Sequence, residues 1–383
     1  MRDVLVAGGG VIGLSVAWEL AQQGVRVTVL ERTQPGREAS WAGAGMLPPG
    51  NTSRACSAEQ QLRAQSHLLW PEWSAELREQ TGVDNGYRVT GGLHVAFPGD
   101  LPALDLERQQ WHDEQIPLTD HSAESLRVVE PALSDLLAGG FELPGQAQVR
   151  NPRHLKALLV ACSQAGVRIE CGSPVVQIDQ YGGRFRQLRT PSGTHQADAC
   201  VLAAGPWTGP LLSLIPSLAD SPACRAVLGI RPVRGQIVLL NTQPLPFRRM
   251  IEYGKRYLVP RPDGRVLVGS TEEDAGFDRS TTSVAIAELI QFAGTLVPAL
   301  KQAAVEQCWS GLRPVSPDTS PLLGPVPGCD GLFLAAGHGR SGLQMSPVTG
   351  VLLRQIMLGQ APCLPPELVA CTEDRLPASP EGC

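Results

Sequence analysis

The first thirty-one residues constrain the fold more than any other stretch of this chain. A short apolar run at residues 4–7 leads directly into the segment 8–13, in which Gly8, Gly10 and Gly13 form a GxGxxG pattern. An apolar-rich segment reaches Gln23, and a second apolar run then ends on Glu31. This order predicts a strand, a glycine turn, a helix, a second strand and an acidic residue, which together form the βαβ unit that binds dinucleotides.

Each glycine of this turn has a physical role. Gly8 permits the tight turn after the strand, Gly10 lets the backbone approach a pyrophosphate, and Gly13 lets the helix pack closely on the strands. The helix then presents free N–H groups and a partial positive charge to the phosphates. Glu31 lies 18 residues after Gly13, near the spacing expected of a carboxylate that accepts the ribose hydroxyls. By itself, the unit suits NAD and FAD equally.

Composition excludes several classes of function. The net charge is −5, from 32 basic and 37 acidic residues, which gives no electrostatic footprint for nucleic acid or a membrane surface. No apolar run approaches the ~18 residues of a membrane span. The ten cysteines form no CxxC pair and no Cys/His cluster, so no zinc or other metal is expected. With no signal peptide apparent, they favour a reducing cytoplasm and free thiols.

The 383 residues alternate between α/β and β patterns along the chain, which predicts two domains that are each discontinuous in sequence. The fold class is therefore α/β + α+β, with a Rossmann-like nucleotide-binding domain and an antiparallel-sheet substrate domain. The proline-rich C-terminus predicts a flexible tail. The expected segments are 1–85, 148–218 and 318–362 for the nucleotide domain, 86–147 and 219–317 for the substrate domain, and 363–383 for the tail.

Two further segments narrow the choice of dinucleotide. The stretch after Glu31 is rich in small residues and includes Ser40 and Gly45, which is typical of backbone lying against a ligand, with Ser40 donating to a phosphate. A flexible surface loop is the alternative interpretation. A second strand–glycine–helix unit is expected at residues 332–358. Two helix N-termini suit a ligand with more than one electron-rich region, such as a flavin dinucleotide.

From about residue 3 to 360, the motifs resemble those of the flavin-dependent amine oxidases of the D-amino-acid oxidase and sarcosine oxidase superfamily. Within it, the chain is most similar to the glycine oxidases (ThiO) of thiamine thiazole synthesis. The motifs at 311–314 and 337–342 are characteristic of the superfamily, and 269–278 is the part most like glycine oxidases. The remaining matches are the glycine turn with Glu31-Arg32 and the segments 44–47, 231–236 and 257–261.

The resemblance implies that FAD removes a hydride from the carbon next to a carboxylate in a primary or secondary amine. The imine then hydrolyses, and O₂ reoxidises the flavin to give H₂O₂. Because the amine must first lose a proton, activity should rise with pH.

Sarcosine oxidases attach FAD through a cysteine, but residues 315–322 contain none, so FAD is expected to be non-covalent. A homotetramer is also implied. The alternatives are a D-amino-acid dehydrogenase or sarcosine-oxidase-like enzyme, and a non-catalytic FAD-binding protein.

The same resemblance assigns residues to the substrate site. Tyr257 and Arg313 match the pair that holds the substrate carboxylate, as suits a phenol donor and a bidentate guanidinium. Arg340 matches the arginine near the flavin edge, and Met46 also falls in this site. Glu272 stands where some glycine oxidases carry an apolar residue over the substrate, and Lys255 stands where a relative has histidine. His338 is a possible base, although a structural hydrogen bond is the favoured interpretation. The residues expected to contact FAD are Gly8, Gly10, Val11, Ile12, Gly13, Glu31, Arg32, Ser40, Ala44, Gly45, Met46, Val176, Ala204, Gly205, Trp207, Gly337, His338, Gly339, Arg340, Ser341, Gly342 and Leu343.

Overall fold

The computed structural model describes residues 1–372 and Arg375, and its strands form two large sheets and two small ones. In chain order the strands are β1 (Asp3–Ala7), β2 (Arg26–Leu30), β3 (Met46–Leu47), β4 (Arg88–Val89), β5 (Gly92–Ala96), β6 (Thr119–Ser122), β7 (Gly139–Leu143), β8 (Ala147–Gln148), β9 (Arg168–Glu170), β10 (Gln177–Tyr181), β11 (Arg184–Thr190), β12 (Gly193–Gln196), β13 (Ala199–Leu202), β14 (Arg231–Asn241), β15 (Met250–Tyr253), β16 (Arg256–Pro260), β17 (Arg265–Gly269), β18 (Ala304–Val315), β19 (Leu322–Pro325) and β20 (Leu332–Ala336).

The helices differ widely in length. They are α1 (Val11–Gln22), α2 (Ala39–Ala42), α3 (Ala58–Thr81), α4 (Leu101–Asp113), α5 (Ala123–Val129), α6 (Asn151–Gln164), α7 (Thr208–Leu212), α8 (Pro216–Ala219), α9 (Arg225–Leu228), α10 (Ser283–Leu296) and α11 (Ser346–Leu358). The long helix α3 begins with a capping box, in which Ser57 and Gln60 satisfy each other's backbone N–H groups. No helix in the described part of the chain is both long and apolar enough to cross a membrane.

The opening βαβ unit lies at the centre of a six-stranded sheet with the order β19-β20-β13-β1-β2-β9. Strand β1 pairs in parallel with β2 and β13, and only the β19–β20 pair is antiparallel. Helices α1, α3, α6 and α11 pack together, and their core includes Leu14, Trp18, Leu158 and Leu352, each fully buried. A parallel sheet covered by helices confirms the Rossmann-like prediction.

The second large sheet has the order β18-β14-β17-β16-β15-β5-β7-β6 and is antiparallel except at the β15–β5 pair. Helix α10 packs on it through Leu289 and Phe292. On consecutive strands from β14 to β7, one residue lies opposite the next, so that these side-chain positions share one face of the sheet. We call this set the Tyr257 row: Ile237, Gly269, Tyr257, Glu252, His94 and Phe141.

The strands of each large sheet come from the segments assigned to that domain, which confirms the fold class. The domain boundaries themselves stay predictions. Near two of them, residues pack differently from the expected division. Ala226 and Ile230 pack into the core beside the six-stranded sheet rather than with the substrate domain. The expected tail is also packed at its start, because Val369 is buried and its carbonyl accepts the Leu323 N–H at 2.8 Å. Residues 373, 374 and 376–383 of that tail lie outside the described residues.

Two local predictions differ from the structure. The apolar run at 175–178 predicts a strand there, but β10 begins at Gln177 and pairs with β11 in a three-stranded sheet with β12. The sequence Asn151-Pro152 predicts Asn151 as the cap of α6, but Asn151 is the first residue inside the helix and Arg150 occupies the cap position. The reason is a tertiary contact, since the Asn151 amide donates to the Ser40 carbonyl at 2.8 Å.

The pH dependence of stability should report on His154, which is fully buried in α6 beside Trp70. Burial lowers the pKa of His154 to about 3, so the folded chain keeps it neutral while the unfolded chain protonates it below pH ~6.5. Stability should therefore fall with decreasing pH from about 6.5 toward 3, by up to about 1.4 kcal/mol per pH unit from this group.

The measurement is the urea midpoint at pH 7.5 and at pH 5. His154→Gln removes the titrating group, so the loss between the two pH values should be smaller than in the unmodified protein. His112→Gln, at an exposed position of α4, is the matched control. An equal loss in the His154→Gln variant would contradict the assignment.

Candidate functional site

A cavity of about 510 Å³ is lined by residues from both large sheets. On one side it opens at the carboxyl ends of the parallel strands, where Ala7, Leu30 and Ala336 lie. On the other side it meets the Tyr257 row, including Ile237 and Tyr257. Ligands in open α/β sheets bind outside the carboxyl ends of the strands, so this cavity is the candidate site.

The glycine turn is built for close backbone approach. Gly8 has a φ of 115°, and a Cβ on Gly13 would lie 2.0 Å from the Gly8 carbonyl oxygen. Helix α1 therefore packs against β1 at a separation that only glycine allows. A Cβ on Gly10 would meet only the Ser40 hydroxyl, at 3.2 Å. No side chain therefore separates the Gly10 backbone from the cavity.

Glu31 and Ser40 hold this turn in place. The Glu31 carboxylate accepts the N–H groups of Gly9 at 2.8 Å and Thr33 at 2.9 Å. The Ser40 hydroxyl accepts the Val11 N–H at 2.9 Å, which leaves its own hydrogen free to donate. A carboxylate has about four lone-pair positions, so Glu31 also retains acceptor capacity toward the cavity.

Most residues expected to contact FAD line the cavity, but three do not. Gly13 lies beneath the turn, and Gly337 packs against Ser316. Val176 is 52% exposed, and its neighbour Val175 contributes to the lining in its place. The residues of the prediction that line the cavity are Gly8, Gly10, Val11, Ile12, Glu31, Arg32, Ser40, Ala44, Gly45, Met46, Ala204, Gly205, Trp207, His338, Gly339, Arg340, Ser341, Gly342 and Leu343.

The second glycine turn is followed by helix α11, whose bounds, Ser346–Leu358, lie within the strand–glycine–helix unit predicted at residues 332–358. The lining segment Gly339–Gly342 is a turn that precedes this helix. Just before this turn, the buried His338 ring lies 3.1 Å from the Thr349 hydroxyl, and burial lowers the pKa of His338 to about 3. A neutral ring bonded to its own helix fits a structural role and not that of a base.

Arg313 and Tyr257 lie together on the substrate-domain side of the cavity. The Arg313 guanidinium donates to the Ser270 hydroxyl at 2.6 Å and to the Thr271 carbonyl at 3.1 Å. The Tyr257 ring covers Gly269, where a Cβ would lie 2.5 Å from the phenol oxygen. Burial lowers the pKa of Arg313 and raises that of Tyr257. We call these two side chains the carboxylate clamp.

The clamp has no internal acceptor of opposite charge. Among the described residues, no carboxylate lies within 4.0 Å of the Arg313 guanidinium, and the carboxylate of nearby Glu272 is paired with Lys255 instead.

 The clamp therefore presents two donors, one of them cationic, to the cavity without a protein carboxylate to neutralise them. This is the arrangement that binds the carboxylate of a small molecule.

Arg340, Lys255 and Glu272 form the rim of the site. The exposed Arg340 guanidinium donates to the Lys255 carbonyl at 3.2 Å, and the Lys255 ammonium donates to Glu272 at 3.0 Å. Lys255 and Glu272 are 74% and 42% exposed, and neither lines the cavity. The hydrogen bond from Lys255 lowers the pKa of Glu272. Glu272, at the position where some glycine oxidases carry an apolar residue, thus forms a surface ion pair near Arg340.

Some lining residues were not expected from the sequence. Pro48, Val175 and Ala203 border the nucleotide side, and His94 and Glu252 border the substrate side. None of them belongs to a glycine motif, so no local signal marks them. His94 and Glu252 become neighbours of Tyr257 only through strand pairing.

Comparison with known proteins identifies the family. The FAD-dependent oxidoreductase family matches residues 3–356. A glycine oxidase of Pseudomonas putida is 35% identical over 100% of this chain and 99% of its own length. The bifunctional protein ThiO/ThiG of a Synechocystis species is 36% identical over 94% of this chain, which covers 52% of that protein. A crystal structure of glycine oxidase from Geobacillus kaustophilus has a TM-score of 0.88 at 30% identity, covering 97% of this chain and 99% of that one. The chain therefore belongs to the FAD-dependent oxidoreductase family, and FAD is its cofactor.

The residues on the nucleotide side fit this cofactor. Gly10 leaves the backbone open, and no described residue accepts a hydrogen bond from the N–H groups of Ile12 and Gly13 at the start of α1. These groups can hold a pyrophosphate. Glu31 would accept the ribose hydroxyls, and Ser40 would donate to a phosphate. These residue roles stay predictions.

The bare backbone at Gly10 gives a direct test of the cofactor site. In Gly10→Ala the new methyl group would point into the cavity, so the Kd for FAD should rise about tenfold or more. Titration of the apoprotein with FAD, followed by flavin fluorescence, measures the change. Gly99→Ala is the matched control, because a Cβ there meets nothing within 4 Å. Equal FAD affinity in the two variants would contradict this role for Gly10.

Proposed function

We propose that this chain is an FAD-dependent oxidase of glycine and other small amines, including sarcosine and short D-amino acids. Glycine, O₂ and water would give glyoxylate, ammonia and H₂O₂. The observation that carries the proposal is the carboxylate clamp, in which Arg313 faces the cavity beside Tyr257 without a protein carboxylate. The relatives named glycine oxidase, which align over nearly the whole chain, support the same substrate.

In this proposal the clamp binds and orients the substrate. Arg313 would form two parallel hydrogen bonds to the substrate carboxylate, and Tyr257 would donate a third without adding charge. Ser270 and Thr271 hold the guanidinium through the bonds described above, so less motion is lost when the substrate binds. FAD supplies the acceptor for the hydride leaving the α carbon, and O₂ then takes up the electrons. The substrate amine reacts without its extra proton, which makes activity rise with pH.

Further parts of the proposal rest on resemblance. The relation to the protein named ThiO/ThiG supports a role in thiamine thiazole synthesis. A homotetramer and a cytoplasmic location also belong to the proposal. The remaining alternatives are a D-amino-acid dehydrogenase that reduces a quinone, a sarcosine-oxidase-like enzyme and a non-catalytic FAD-binding protein. Release of H₂O₂ with glycine, compared with reduction of an artificial dye, separates the oxidase from the dehydrogenase.

Replacing Arg313 should weaken glycine binding strongly. Arg313→Gln removes the positive charge and the bidentate contact, so KM for glycine should rise about thirtyfold or more, a loss of about 2 kcal/mol. Steady-state H₂O₂ release at several glycine concentrations gives the value. Arg231→Gln is the matched control, since Arg231 lies at the exposed end of the adjacent strand β14. An unchanged KM in Arg313→Gln would remove the clamp from the substrate site.

FAD should be held without a covalent bond. The residues 315–322, where sarcosine oxidases carry their attachment cysteine, contain no cysteine. Acid precipitation of the purified holoprotein should therefore leave the yellow flavin in the supernatant, where its absorbance is measured. A yellow pellet that retains the flavin after washing would overturn this expectation.

A further inference from the structure

Beyond the carboxylate clamp, the cavity continues along the Tyr257 row to a group of polar side chains. Glu252 on β15 lies directly opposite Tyr257, and His94 on β5 lies directly opposite Glu252. Adjacent strands are about 4.8 Å apart, so Glu252 is one strand spacing from Tyr257 and His94 is two. With Glu107 from α4 and Gln146, which also line the cavity, these residues form what we call the acidic cluster.

The acidic cluster is connected internally but keeps free acceptors. His94 Nδ1 lies 2.8 Å from Glu107 Oε1, and His94 Nε2 lies 3.5 Å from Glu252 Oε1. The Gln146 amide donates to the same Glu252 oxygen at 2.5 Å. Among the described residues, no donor reaches Gln146 Oε1, although this side chain is 1% exposed. The cluster therefore contains a buried, unpartnered acceptor and two carboxylates beside the cavity.

The charges of the cluster do not cancel. Burial by itself lowers the pKa of His94, but the attraction of Glu252 and Glu107 outweighs it and raises the pKa above its ordinary value. One imidazole beside two carboxylates leaves a net negative charge whether or not the ring is protonated. The nearby arginines are engaged elsewhere, since Arg249 binds Glu130 and Glu142 and Arg63 binds Glu114. His121, near Glu142, is likewise outside the cluster.

Glycine bound to the carboxylate clamp is too short to reach the whole acidic cluster. The amine of glycine is two bonds from its carboxylate carbon, so glycine bound to the clamp ends within about one strand spacing. The apolar ring of Trp111 lines the farther part of the cavity and faces His94 at a centroid distance of 6.4 Å, and the buried Phe141 ring stacks on His94 at 4.6 Å. A longer molecule with a carboxylate, an apolar chain and a cationic end could contact the clamp, the apolar ring and the acidic cluster together.

We propose that the acidic cluster is a subsite for a distal cationic group. The substrate class then includes α-amino acids whose carboxylate binds the clamp and whose side chain ends in an amine or guanidinium at Glu252 and Glu107. This inference rests on the proposed function, which it extends from small amines to amino acids with a basic side chain.

The test is ligand binding to the holoenzyme by isothermal titration calorimetry. Pentanoate and 5-aminopentanoate both offer a carboxylate and lack an oxidisable α-amine, but only the second ends in an ammonium group. The ammonium should lower Kd about tenfold or more, through an ion pair in a partly desolvated site. Glu252→Gln and Glu107→Gln should each reduce the ratio of the two Kd values toward one. Glu72→Gln, at an exposed position of α3, is the matched control and should keep the ratio.

Two outcomes would overturn the subsite: a ratio near one in the unmodified enzyme, or a ratio that survives in both glutamine variants. Glu107 is 33% exposed on a helix, so its variant carries the test if Glu252→Gln fails to fold. Glycine turnover, measured in parallel, separates this inference from the proposed function. Turnover with a ratio near one removes only the subsite, and a high ratio without turnover supports the subsite but removes glycine as a substrate. A kcat/KM for D-ornithine about tenfold or more above that for D-norvaline would support the same assignment in catalysis.

Discussion

The contact between Gly13 and the Gly8 carbonyl is the constraint on which the cofactor side of the structure depends. No side chain fits between these residues, so α1 begins close beside the end of β1. This places the first N–H groups of α1 at the carboxyl edge of the parallel sheet, where β2 and β13 also end. Glu31 and Ser40 can bind the turn only because that edge is fixed.

The substrate side depends on a different kind of constraint, the register of an antiparallel sheet. Opposite residues on neighbouring strands share a face, and the spacing between strands is nearly constant. Tyr257 can lean over Gly269 because the latter has no side chain. Glu252 and His94 then follow on the next two strands. A cationic clamp and an acidic cluster are thus held at a separation set by backbone pairing.

Local patterns in the sequence predict most residues that line the cofactor side of the cavity and much of the fold. Gly8, Gly10 and Gly13 identify the turn, because their spacing reflects contacts within one short segment. The alternation of patterns also predicts two discontinuous domains, which the sheets follow. Long-range pairing has no such local signal. It joins Glu252 to His94 across more than 150 residues of sequence, and it turns Asn151 from a helix cap into a donor for Ser40. Val175 lines the cavity in place of Val176, which is 52% exposed, and no local pattern distinguishes these two neighbouring valines.

The rim and the sheet therefore differ in how much a side-chain substitution would disturb the structure. The rim residues Lys255 and Glu272 are exposed and bind each other, so substitutions there alter charge without disturbing a packed surface. Glu252 and His94 lie within a sheet whose neighbours fix their direction, and their replacement changes a partly buried charge network. Under the proposed function, substrate length would be determined at the sheet, where backbone pairing fixes the separation between clamp and cluster, and access to the site would be determined at the rim.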